Sequence, residues 1–137
     1  MRRLLVALAG AVALLAAYAL AHWTLIEVGR EVIVLRTEEA DGSRYTSRLW
    51  IVDVGGTPWL HGDRGSRWEQ NLAVRPVVEV VRGGETRRWR AVPVPGPHPE
   101  IDAALRSKYG VADVWVRFVA RDGDTTTPVR LEPVAEP

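Results

Sequence analysis

Apolar residues fill the start of the chain without interruption. Residues 4–21 (LLVALAGAVALLAAYALA) carry no charge, and at about 1.5 Å per helical residue they span roughly 27 Å, close to the hydrocarbon thickness of a bilayer. The run is apolar on every face, whereas a helix at the surface of a soluble core is apolar along one stripe. We therefore predict a membrane anchor or signal segment over 1–21, a linker over 22–30 and a folded domain over 31–134.

The apolar segment is compatible with an uncleaved membrane anchor and with a cleaved secretory signal. Ala19-Leu20-Ala21 has the small-x-small pattern of a signal-peptidase site, but the apolar run is longer than the usual core of a secretory signal. Arg2 and Arg3 precede the run and favour an N-terminus in the cytoplasm. We expect a single N-terminal span with an extracytoplasmic C-terminal domain, or export after cleavage near Ala21.

Short apolar runs alternate with turn residues in the rest of the chain. Six runs are rich in β-branched residues and are bounded by Gly, Pro, Asp or Ser, which is typical of strands. They cover residues 31–37, 43–54, 57–62, 77–82, 85–94 and 127–133. The first three predict a meander, and Gly83-Gly84 predicts a tight hairpin turn between the fourth and fifth.

One short helix is predicted over residues 67–74. Ser66 can serve as its N-cap, with Glu69 three residues later as in a capping box. Trp68 and Leu72 lie one helical turn apart and would share a face.

A second helix is predicted between Pro99 and Gly110, because proline suits a first helical turn and glycine a helix end. Residues 111–121 fit a helix capped by Asp113 or an alternating strand, and we favour the helix. The whole pattern predicts a mainly β (α+β) domain, with about six antiparallel strands in a small barrel and two or three short helices.

The composition of the chain argues against several classes of function. The formal net charge is +1, so no field favours nucleic acid as a partner. The absence of cysteine excludes disulfides and thiolate metal sites. His22, His61 and His98 are far apart and lack metal-ligand spacing, so we expect no metal site. No nucleophile-elbow motif supports hydrolase chemistry.

Three stretches together resemble a known family. They are DGSRYTSRLWIVDVGG at 41–56, GSRWEQNLAVRPVVEVVRGGETRRWRAVPV at 65–94 and PVRLEPV at 128–134. Their order is similar to that of the split β-barrel proteins of the pyridoxamine-phosphate-oxidase-like group, and most to the deazaflavin (F420)-dependent nitroreductase branch. The resemblance implies a split barrel that binds a flavin-type cofactor, F420 or FMN, often at a dimer interface.

The resemblance also implies where the cofactor's phosphate is held, namely by the second strand and by the loop that opens the short helix. Arg44, Thr46 and Arg48 would share one face of that strand, because strand residues alternate between faces. The helix start would offer backbone N–H groups and an arginine to an anion. The candidate cofactor-binding residues are Arg44, Thr46, Ser47, Arg48, Gly65, Ser66, Arg67, Trp68 and Asn71.

The predicted function is that of an oxidoreductase. Bound F420 or FMN would transfer a hydride to a small acceptor such as a nitro compound or a quinone, which requires few protein groups. The alternatives are a non-catalytic barrel that binds a ligand or partner at the membrane, and a purely structural dimerisation domain. A homodimer is expected, because so small a domain buries a limited share of its own surface.

Overall fold

Six antiparallel strands close into a barrel in the computed structural model, which describes residues 1–120 and 126–134. The order around the barrel is β1-β2-β3-β6-β5-β4. The predicted meander and the Gly83-Gly84 hairpin are both confirmed. The strands are β1 (Val32–Glu38), β2 (Arg44–Val54), β3 (Thr57–Asp63), β4 (Val77–Arg82), β5 (Glu85–Pro93) and β6 (Thr126–Pro133).

The described residues also form four helices: α1 (Arg2–Glu27), α2 (Arg67–Val74), α3 (Pro99–Tyr109) and α4 (Val111–Ala120). The short helix predicted after Ser66 is confirmed as α2. The helix favoured over 111–121 is confirmed as α4 up to Ala120, and residue 121 lies outside the described residues. The mainly β class with short helices is therefore confirmed.

The chain divides into two compact units, Met1–Arg30 and Glu31–Pro137. The first consists mainly of α1, which is long and apolar enough to cross a membrane; a signal sequence would meet the same criterion. The helix runs on through residues 22–27, which the sequence assigns to a linker. Only residues 28–31 therefore separate it from β1.

The core of the barrel consists of the inward-facing residues of its strands and one face of α2. In β1, for example, Ile33 and Leu35 are fully buried and alternate with more exposed neighbours. Trp68 and Leu72 of α2 pack into the same core. The other buried members are Ile51, Leu60, Val78, Val80, Ala91, Val129 and Leu131.

The helix α3 covers β2 from outside through a second apolar cluster. Tyr109 stacks on Trp50 with ring centroids 4.3 Å apart and an interplanar angle of 6°. Its hydroxyl accepts a hydrogen bond from the Ile51 N–H at 3.0 Å and donates to the Glu31 carbonyl at 2.8 Å. Burial raises the pKa of Tyr109 to about 12, so the hydroxyl stays protonated and can donate at neutral pH.

Arg82 ties the start of the barrel to β2. Its guanidinium lies 2.6 Å from a carboxylate oxygen of Glu31 and 2.6 Å from one of Asp53. These hydrogen bonds hold the pKa of each carboxyl below its ordinary value. A carboxyl with a lowered folded-state pKa stabilises the fold above its unfolded pKa of about 4, and this contribution is lost as the pH falls through the folded pKa.

We therefore expect Arg82→Met to lower the free energy of unfolding by about 1 kcal/mol at pH 7, a small value because the three side chains are partly exposed. Chemical denaturation at pH 7 and at pH 2 should show that the difference from the parent largely disappears at the lower pH. Arg87→Met is the control, since Arg87 pairs with its exposed neighbour Glu85. A difference of equal size at both pH values would contradict this account.

Candidate ligand-binding site

Polar side chains form a row across the outer face of the barrel. In the strand register Thr46 lies opposite Arg36, Arg36 opposite Glu79, and Glu79 opposite Arg88. Directly paired residues of neighbouring strands point to the same side of a sheet. The row therefore crosses β2, β1, β4 and β5 and places two arginines beside one glutamate.

A groove of about 310 Å³ lies along this row. We call it the arginine groove, since three of its lining residues are arginines. The residues that line it are Arg36, Thr37, Glu38, Arg44, Val77, Val78, Glu79 and Arg88.

Positive charge exceeds negative charge in the arginine groove. Glu79 lies 3.6 Å from the Arg36 guanidinium and 4.0 Å from that of Arg44, whose side chain is 72% exposed. The Arg88 side chain makes no ion pair or hydrogen bond within residues 1–120 and 126–134. The other acid of the groove, Glu38, lies 3.2 Å from Arg75. The groove can therefore accept an anion through guanidinium groups that its own carboxylates do not satisfy.

The predicted residues of β2 divide between the two faces of the strand. Arg44 lines the groove, Thr46 faces the same side, and Arg48 is also exposed. Ser47 is half-buried and pairs with the buried Leu35. Of the four candidates on β2, three therefore lie on the side of the arginine groove.

The start of α2 differs from the predicted capping box. Ser66 is the N-cap residue, but its hydroxyl makes no cap bond and its oxygen is buried without a partner among the described residues. The Ser66 N–H donates to the Asp63 carbonyl at 2.9 Å, and Glu69 instead accepts the Gly65 N–H at 2.5 Å. Two backbone donors that the prediction offered to an anion are thus already used within the protein.

Arg67 is held away from the arginines of β2. Its Nη2 lies 2.7 and 2.9 Å from the two carboxylate oxygens of Glu39, and its guanidinium lies 4.9 Å from the Tyr45 ring centroid. Tyr45 alternates with Arg44 and faces the other side of β2. The structure therefore does not bring the two halves of the predicted phosphate site together.

Trp68 and Asn71 have structural roles. Trp68 is only 4% exposed and belongs to the barrel core, so its ring is not accessible to a cofactor. The Asn71 amide donates to the Thr37 hydroxyl at 2.9 Å, which ties α2 to β1. The helical spacing of Trp68 and Leu72, which predicted a shared face, is explained by packing into the barrel core.

Sequence reasoning missed Arg36, Glu79 and Arg88. Arg36 directly follows the apolar run VIVL of β1, and Glu79 stands between the valine pairs of VVEVV in β4. Their outward direction follows from alternation, but their pairing depends on β1 meeting β4 when the barrel closes.

A second cavity, of about 610 Å³, brings two histidines together. We call it the histidine cavity; His61, Arg64, His98, Asp102 and Arg117 are among its lining residues. His61 lies 3.8 Å from the Asp102 carboxylate, which also accepts a hydrogen bond from Arg117 at 3.0 Å. The described residues contain no group of three or more His, Asp or Glu side chains that could hold a metal ion.

Comparison with known proteins identifies the fold alone. No protein-family model and no curated protein matches the chain. Among solved structures it is similar to the heme storage protein HutZ from Vibrio cholerae (19% identity, 79% of this chain and 84% of HutZ, TM-score 0.62). It is also similar to a heme binding protein from Mycobacterium smegmatis (20% identity, 80% of this chain and 49% of that protein, TM-score 0.52).

A third similar structure is a candidate pyridoxamine 5'-phosphate oxidase from Listeria innocua (14% identity, 88% of this chain and 94% of that protein, TM-score 0.53). The predicted resemblance to split-barrel, pyridoxamine-phosphate-oxidase-like proteins is confirmed at the level of the fold. The similarity does not single out the deazaflavin-dependent nitroreductase branch.

Proposed function

We propose that the barrel binds an organic cofactor through its phosphate or carboxylate groups, and that a flavin-type cofactor, FMN or F420, suits the arginine groove best. The observation that carries the proposal is the convergence of Arg36, Arg44 and Arg88 on one groove. Of the two acids that line this groove, Glu38 is paired with Arg75, so Glu79 faces the arginines of the groove as the remaining acid. Of the two predicted halves of the phosphate site, this proposal keeps the outer face of β2, with Arg44, and not the start of α2.

Guanidinium groups are well matched to this role. Arginine binds phosphate oxygens bidentately, and each charge-assisted hydrogen bond contributes about 1.5–3 kcal/mol. The volume of about 310 Å³ suits the phosphate-bearing end of such a ligand rather than the whole molecule. In this proposal the protein binds and orients the cofactor through the outer faces of β1, β2, β4 and β5.

The proposed reaction follows from the cofactor. Bound F420 or FMN supplies hydride transfer to a small acceptor such as a nitro compound or a quinone. The residues of the groove hold the anionic end and leave the redox chemistry to the ring system. A barrel that holds the same ligand without catalysis is the alternative within this proposal.

Heme is the second candidate ligand. The names of two similar proteins, from Vibrio cholerae and Mycobacterium smegmatis, state that they store or bind heme. The arginine groove contains no His, Met, Cys or Tyr that could ligate iron. The histidine cavity offers His61, His98 and Arg64 and is about twice as large, so heme would belong there.

We propose that residues 1–21 anchor the domain in a membrane and that the barrel lies outside the cytoplasm. We also propose that the barrel forms a homodimer. The support is the length and apolar composition of α1 and the two arginines that precede its apolar run. Protease added to intact spheroplasts is expected to degrade the barrel. Degradation only after lysis would reverse the proposed orientation, and a monomer in sedimentation equilibrium would contradict the dimer.

Spectroscopic titration tests the proposed ligand. The full-length protein, reconstituted in lipid nanodiscs, is titrated in separate experiments with FMN, F420 and hemin. We expect FMN or F420 to bind saturably with a micromolar dissociation constant and an altered absorption spectrum. Saturable binding of hemin alone would favour the second candidate, and no saturable binding of any of the three would contradict the proposed function.

A further inference from the structure

The helix α4 is turned with its apolar side outward. Val111 is 73% exposed and Phe118 is 78% exposed, and Val114 and Val119 are exposed as well. A surface helix of a soluble domain shows the opposite arrangement, with its apolar stripe toward the core and its charges in water.

The two charged residues of α4 face the protein instead. Asp113 is only 3% exposed. The Arg117 guanidinium lies 2.8 Å from the Asp113 carboxylate and 3.0 Å from that of Asp102 on α3. These ion pairs fix the orientation of the helix, so the outward apolar face is a consequence of how α4 is held.

The apolar face of α4 begins near Glu31, the first residue after the N-terminal segment. The hydroxyl of Tyr109, two residues before Val111, donates a hydrogen bond to the Glu31 carbonyl at 2.8 Å, and Lys108 contacts the Glu31 carboxylate. Glu31 immediately precedes β1. The start of α4 is therefore fixed next to the first residues of the barrel.

The connection between α1 and the barrel is short. Residues 28–31 lie between the two, and four extended residues span at most about 14 Å. Chain length alone therefore keeps Glu31, to which the Tyr109 hydroxyl is hydrogen-bonded, within this distance of the last residue of α1. A helix of ten residues is itself only about 15 Å long.

We propose that the outward face of α4, formed by Val111, Val114, Trp115, Phe118 and Val119, docks on the bilayer in which α1 is anchored. The inference rests on the membrane anchoring proposed above. Aromatic rings are enriched at the interface between membrane and water, and a helix with one apolar face lies in the plane of that interface. Trp115 and Phe118 supply such rings, with centroids 6.3 Å apart.

Site-directed spin labelling tests the docking, because the chain has no native cysteine. Val114→Cys and Phe118→Cys are labelled with a nitroxide in the full-length protein, reconstituted in vesicles of phosphatidylcholine and phosphatidylglycerol. Ser107→Cys, on the exposed side of α3, is the matched control, and Leu8→Cys reports on α1. The accessibility of each label to oxygen, which partitions into lipid, is compared with its accessibility to a water-soluble nickel complex.

We expect the labels at 114, 118 and 8 to be more accessible to oxygen and the label at 107 to be more accessible to nickel. If the labels at 114 and 118 behave like the label at 107 while the label at 8 is in lipid, the docking of α4 is contradicted and the membrane anchoring by α1 is supported. A water-exposed label at 8 would overturn both. Spin–spin broadening at 114 and 118 would show that a second copy of the chain covers the face, which also overturns docking on lipid.

Discussion

Gly62→Ala is expected to lower the free energy of unfolding of the barrel by about 3 kcal/mol, at the upper end of the cost of overpacking a core. A Cβ on Gly62 would lie 2.7 Å from Cη2 of Trp68 and closer still to Cζ2. Trp68 is buried among the core residues and cannot move aside without displacing them. Chemical denaturation of the full-length protein in detergent measures the effect as a lower midpoint.

A double-mutant cycle separates this clash from a general loss of stability. Trp68→Phe removes part of the ring that a Cβ would meet, at the cost of a cavity. In the Trp68→Phe background the Gly62→Ala substitution should therefore be less destabilising than in the parent. Equal costs in both backgrounds, or a Gly62→Ala variant as stable as the parent, would contradict the proposed contact.

The double variant Arg36→Ala/Arg88→Ala is expected to bind the cofactor roughly a hundredfold to ten-thousandfold more weakly than the parent. Each arginine would contribute a charge-assisted hydrogen bond of about 1.5–3 kcal/mol, and about 1.4 kcal/mol corresponds to tenfold in affinity. The titration with FMN and F420 measures the change in dissociation constant.

The matched control is Arg87→Ala/Arg106→Ala. It removes the same charge from exposed positions outside the arginine groove, Arg87 being the strand neighbour of Arg88 and Arg106 lying on α3. The control variant should bind nearly as tightly as the parent, apart from a small salt-dependent change. Equal losses in both double variants would show that general charge, rather than the groove, attracts the ligand.

The elements of the barrel follow from local signals in the sequence. The start of α2 is marked by Ser66, and Pro76 stands two residues after its last residue, Val74. The β4–β5 hairpin is marked by Gly83-Gly84, both of which have positive φ angles that favour glycine. Such signals act over a few residues, so the sequence alone reveals them.

The candidate site depends instead on contacts between distant parts of the chain. Arg36 and Glu79 meet because β1 pairs with β4, a closure that no local pattern encodes. Arg67 is separated from Arg44 because it contacts Glu39 and the ring of Tyr45, which faces the other side of β2 from Arg44. The sequence could therefore identify Arg44, Thr46 and Arg48 as one face of a strand, but not which of them has a complementary neighbour across the barrel.

Trp68 illustrates a different limit. Its place in the stretch that resembles the split-barrel family made it a candidate for contact with a cofactor, but the absence of a side chain at Gly62 leaves room for its ring in the core. A tryptophan that packs and a tryptophan that binds a ligand have the same helical spacing. Only the position of β3 against α2 distinguishes the two.

Protection of a single amine tests the arginine groove most directly. The chain contains one lysine, Lys108 on α3, so Arg88→Lys places a second reactive side chain in the groove while preserving its positive charge. Acetylation of the full-length protein is followed at both positions by mass spectrometry, with and without saturating FMN. We predict that FMN strongly slows acetylation at position 88 and leaves that of Lys108 unchanged; an unchanged rate at position 88 with FMN bound would contradict a ligand in the arginine groove.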